Sequence, residues 1–90
     1  MNATKNDIFI VQAAIRIGEK VWVGHRHNNI IHEIVNETGK KPFEIGKVEQ
    51  GFVTNTGQFV DRIEGARIAI EAEQIEKLQW PPNLYSEDLY

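Results

Sequence analysis

The feature that most constrains this chain is the alternation that runs from Ile8 to Ile17 and stops at a glycine. Read as extended backbone, it places Phe9, Val11, Ala13, Ile15 and Ile17 on one face and Gln12 and Arg16 on the other, the pattern of a strand with one dry side. Gly18-Glu19 fits a tight hairpin with glycine at its first central position, and Val21-Trp22-Val23 begins the return strand. A second extended segment, Val48 to Thr54, puts Val48, Gln50, Phe52 and Thr54 on one side, and Asn55-Thr56-Gly57 turns it into Phe59-Val60. Between these hairpins, Ile30, Ile31, Ile34 and Val35 form one helical face that Asn28 or Asn29 can cap and Gly39 can end. Lys40-Lys41-Pro42 reads as a linker. Asp61 followed by Glu64 has capping-box chemistry for a second helix through Ile63, Ala66 and Ile70 toward Ile75, which Trp80-Pro81-Pro82 is expected to end.

These elements predict an α+β fold, a small antiparallel sheet of three to five strands packed with two helices, as one domain over residues 1–90. A chain of 90 residues buries a limited share of its surface, so self-association is expected to complete its core. The tail from Asn83 to Tyr90 is aromatic-rich and is expected to dock. Apolar and charged fractions of 41% and 26% are those of a folded globular chain, and the absence of cysteine excludes disulfides and thiolate-held metals. The run around Ile8 to Ile17 is too short to span a bilayer, and Met1 to Asp7 lacks a signal-peptide layout, so the expected location is the cytoplasm. A net charge of −3 argues against a general DNA or RNA binder. Residues 1–62 nevertheless hold eight basic and seven acidic side chains against two and six in residues 63–90, which directs the search for an anion site to the first two thirds.

That search leads to Gly24-His25-Arg26-His27-Asn28-Asn29, which joins a strand end to a helix start. Backbone N–H groups and the helix dipole favour an anion there, and Arg26 adds a planar fork of donors suited to phosphate. An ordinary surface turn, with Arg26 on a carboxylate and His25 and His27 on backbone carbonyls, uses the same residues. His25, His27 and His32 with Glu33 invite a metal, but His27 and His32 would leave a helix on different faces and nothing completes the shell, so no metal is expected. Ser86 is the only serine, no phosphate-binding glycine loop is present, and capping explains Asp61 and Glu64, so neither catalysis nor a cofactor is expected. Most aromatic side chains belong in the core; Phe52 is the exception, because Gly51 beside it would let a flat ligand or another backbone come close. Arg62 sits in the first turn of the second helix, where a cation opposes the dipole unless an anion lies nearby.

Taken in order, Ala13-Ala14-Ile15-Arg16, Gly24-His25-Arg26-His27, Gln50-Gly51-Phe52-Val53-Thr54, Gly57-Gln58-Phe59-Val60-Asp61-Arg62 with Glu64, Gln74-Ile75 and Ser86-Glu87-Asp88-Leu89-Tyr90 resemble the first-described family of Thoeris anti-defence proteins, encoded by phages and prophages. The resemblance spans nearly the whole chain, with Gly65 where an alanine is expected and Glu73 where a glycine is. It implies a sponge that sequesters glycocyclic ADP-ribose, the signal made from NAD by TIR-domain sensors, without degrading it. It also implies a homodimer or a homohexamer built as a trimer of dimers, some members of which bind cyclic oligonucleotides at separate sites. Carried over by position, Arg26 would contact phosphate, Phe52 would stack on the base, and Asp61 and Arg62 would lie at the pocket edge. Arg16, His25, His27, Gln50 and Thr54 stand in the same motifs and are the remaining candidate ligand-binding residues.

Overall fold

The computed structural model describes residues 8–89. The leader reading of Met1 to Asp7 and the docking of Tyr90 lie outside the described residues. Four strands, β1 (Ile10–Ile17), β2 (Lys20–Gly24), β3 (Val48–Thr54) and β4 (Phe59–Asp61), form one antiparallel sheet in the order β2-β1-β3-β4. Two longer helices, α1 (His27–Thr38) and α3 (Arg62–Glu71), and two single-turn helices, α2 (Pro42–Ile45) and α4 (Ser86–Leu89), complete the α+β domain. The stretch expected as a linker after Gly39 thus holds α2, started by Pro42 with its pre-set φ. No helix among the described residues is long and apolar enough to cross a membrane.

One sheet face is dry. Ile10, Ala13, Ile15 and Ile17 of β1, Trp22 of β2, Phe52 of β3 and Val60 of β4 meet Ile30 and Ile34 of α1, Ala66, Ile68 and Ala69 of α3, and Leu84. Side chains of the Ile, Leu and Phe class contribute roughly 1.5–3 kcal/mol each when fully buried. Two of the expected inward residues are not there: Phe9 and Val11 are exposed. Opposite Thr54 and Val53 stand Ile10 and Gln12, so Val11 is the extra residue of a β-bulge. The bulge shifts the alternation by one and turns Ile10 inward.

Gly18 takes φ 64° in the β1–β2 turn, and Gly39 ends α1 at φ 73°. Arg26 is the extended cap residue of α1, two and three residues before the expected Asn28 and Asn29, which lie inside the helix. On α1, Ile30 and Ile34 are buried while Val35 is exposed. On α3 the inward stripe is Gly65, Ala66, Ile68 and Ala69, whereas Ile63 and Ile70 are exposed. Small residues prevail because the helix must sit close: a Cβ on Gly65 would lie 3.1 Å from the Phe52 ring.

Helix α3 ends at Glu71, short of Ile75, because Glu73 adopts φ 61° and the chain closes a Schellman motif. The Gln74 amide donates to the Ala69 carbonyl at 2.9 Å and the Glu73 amide to that of Ile70 at 3.0 Å. Gln74 then returns to β1: its Nε2 donates to the Ile10 carbonyl and its Oε1 accepts from the Ile10 amide, both at 2.8 Å. A left-handed glutamate is strained where glycine is not, so Glu73→Gly is expected to raise stability by about 1 kcal/mol in urea unfolding. The tail docks as expected, with Leu84 and Ser86 buried and the Leu84 amide donating to the Arg62 carbonyl.

Candidate functional site

The Gln50-Gly51 segment in the middle of the sheet gathers residues from both long helices. Asp61, the cap of α3, stands directly opposite Gly51 in the β3–β4 ladder, and its carboxylate accepts from the Glu64 amide at 2.7 Å. Arg62, the first residue of α3, donates to the Gln50 side-chain oxygen and, at 2.8 Å, to the Leu84 carbonyl, while its guanidinium lies 4.4 Å from the centre of the Tyr85 ring. From the other helix, His27 Nε2 donates to the Gly51 carbonyl at 2.8 Å. His27, Gln50 and Arg62 are thus brought together around Gly51, with Arg26 and His25 adjoining on the chain, whereas the Asp61 side chain lines the groove on the Arg16 face.

The electrostatics of the two helix starts differ. Helix α3 is neutralised by Asp61 and Glu64. Helix α1 has no side-chain cap bond and no acidic residue in its first turn, so its positive end keeps its field, beside a partly exposed Arg26 and an exposed His25. Burial holds the Arg62 guanidinium below its ordinary pKa, opposed by Tyr85 and Glu87, and burial likewise lowers that of His27. Among the described residues no carboxylate makes an ion pair with Arg62.

Three expected site residues have other work. Phe52 is 0% exposed and its ring meets the edge of His27 at 5.1 Å and 79°, so the uncovered phenyl expected beside the arginine does not exist: the ring is the centre of the core. The register puts Phe52 beside Ala13 and Val60 on the dry face, and the close approach that Gly51 permits is that of the β4 backbone: a Cβ there would lie 2.0 Å from the Val60 carbonyl oxygen. Thr54 is buried, and its hydroxyl pairs with that of Thr56 at 2.7 Å, organising the β3–β4 turn. Arg16 lies on the opposite sheet face, bonded to Glu49 at 2.6 Å and stacked 4.6 Å from the centre of Phe59, in a groove of about 560 Å³ that Gln50 and Asp61 also line.

Sequence reasoning missed that His27 belongs to the inward stripe His27-Ile30-Ile34, whose spacing was legible, and that Gln74 substitutes for a strand neighbour of Ile10. Among the described residues, no group of three or more His, Cys, Asp or Glu side chains is placed to hold a metal ion. The arrangement offers donors for an anion at the α1 start.

No curated protein and no solved structure matches this chain. The family model described as phage T4 y16D protein matches residues 9–90, which takes in every strand, both long helices and the turn that carries Arg26. By that match the chain belongs to the phage T4 y16D protein family.

Proposed function

We propose that this phage-family protein captures glycocyclic ADP-ribose and holds it intact, so that TIR-based Thoeris immunity is not triggered. One observation carries the reading: Arg26 stands at the uncapped start of α1, with no acid in the first turn to occupy the amide donors. A guanidinium and a helix start together suit a pyrophosphate and require no reacting group. In this reading His25 flanks the phosphates and Asp61 and Arg62 border the ligand. Phe52 takes no part in stacking; Tyr85, half-buried under Arg62, is the aromatic that this cluster holds. Capture takes place in the cytoplasm of the infected cell, where an NAD-derived signal is made.

The functional unit is a homodimer or a trimer of dimers. What supports association is the second sheet face, which neither long helix covers: Val21 and Val23 are 38% and 39% exposed, and Arg16 and Glu49 lie beside them, a pair of opposite charges that suits a two-fold contact. The same face favours the second reading, a purely structural interaction protein that binds no nucleotide.

Native mass spectrometry of the protein with glycocyclic ADP-ribose separates the readings. A sponge gives a complex of fixed stoichiometry that releases the unaltered messenger on heating; a hydrolase releases fragments; an interaction protein gives no complex. Arg26→Ala is expected to weaken capture about 10- to 150-fold, the worth of one charge-assisted hydrogen bond, with little change in thermal unfolding. Undiminished capture by that variant removes Arg26 from the site.

A further inference from the structure

We infer that His27 is a positioning latch: as the neutral imidazole it pins the turn carrying His25 and Arg26 to β3, and on protonation it lets that turn open. The geometry is that of a closed contact. His27 is 7% exposed, it is the first residue of α1, its Nε2 lies 2.8 Å from the Gly51 carbonyl, and its ring packs edge-on against Phe52. A carbonyl only accepts, so Nε2 carries the proton of the neutral ring and a second proton must enter at Nδ1. That step places a full charge inside the core and at the positive end of α1.

The groups that face the ring come from every element around it. Burial is the largest influence and disfavours the charge, and Arg62 on α3 adds repulsion. Glu87 on α4 and the backbone carbonyls of Gly51 on β3 and Ala14 on β1 favour it but do not prevail. The folded pKa therefore lies below 6.5, the unfolded value. Between the two, the unfolded or opened state binds more protons, so the closed turn is most favoured above pH 6.5 and less favoured as pH falls through that window. The latch stands whether or not the turn binds a ligand.

The test is an NMR titration of the wild-type protein from pH 7.5 to 5, reading the imidazole nitrogens of His27 and the hydrogen exchange of the first-turn amides of α1. Expected are an Nε2–H tautomer at pH 7.5, a midpoint below 6.5, and exchange in that turn that accelerates at least about tenfold, after correction for intrinsic rates, as the ring charges. His27→Gln keeps a donor for Gly51 but cannot titrate, so its turn should show no acid-induced acceleration. A His27 midpoint at or above 6.5, first-turn exchange indifferent to pH in the wild type, or the same acid response in the glutamine variant each overturns the latch. Should the variant not fold, the wild-type titration decides alone.

Discussion

Phe52→Ala is expected to cost about 3–5 kcal/mol, since Phe52 is the largest of the fully buried side chains among the described residues. The ring is fully buried, touches the His27 edge, and lies under Gly65 of α3, so its removal opens a void against both helices at once. A domain of this size is stabilised by roughly 5–15 kcal/mol in all, so the variant should unfold at much lower urea and populate the unfolded state near physiological temperature. Phe52→Leu fills most of the void and should lose less. The comparison decides the role of the ring. If Phe52→Ala kept the wild-type urea midpoint and lost only ligand capture, the ring would belong to a binding site and the core described above would be wrong.

The second large effect is expected at Gly51. An alanine there would put its Cβ 2.0 Å from the Val60 carbonyl oxygen and 2.9 Å from the Phe59 ring, and the first of these is backbone that cannot swing aside. Either β4 detaches or β3 distorts, at a cost of more than about 3 kcal/mol. The damage reaches further, because Asp61 at the end of β4 caps α3 and Arg62 anchors the tail. Gly18→Ala is the control: nothing lies within 4 Å of its Cβ and only its φ of 64° is strained, so it should lose about 1–2 kcal/mol. Urea unfolding of both variants, with amide spectra of the β4 residues, checks the contrast. Equal losses at the two glycines would show that close approach of β4 is not what Gly51 permits.

What could be read in advance was whatever depended on short-range pattern. The hairpin at Gly18, strand β3 with its limits, the Asp61 cap and the end of α1 at Gly39 follow from turn chemistry and periodicity, which act within a few residues. The failures in the sheet and the core are long-range. A bulge at Val11 is set by β1 and β3 together, so strict alternation turned the wrong residues inward. The inward stripe of α3 depends on how the helix fits onto Phe52, and that fit selects glycine and alanine beside Ile68. Gly51 invited a close approach by something, and the sequence could not say that the visitor was β4 and not a ligand. That single ambiguity sent Phe52 to the surface in the reading and to the centre in the fold. At the candidate site, Arg26 and the start of α1 were legible because a strand end followed by a helix start is local, whereas the tie from Arg62 to Gln50, Leu84 and Tyr85 spans 12 to 23 positions of chain.

The return of Gln74 to Ile10 has a consequence for the molecule in a crowded cell. Strand β2 pairs with β1 only as far as Ala13, so the amide and carbonyl of Ile10 would otherwise be left as an open rung on which another chain could extend the sheet. A carboxamide presents the same donor and acceptor as a peptide group, and Gln74 fills that rung with one of each. A single side chain thus does the work of a covering strand at that one rung of β1, without adding a segment to the fold.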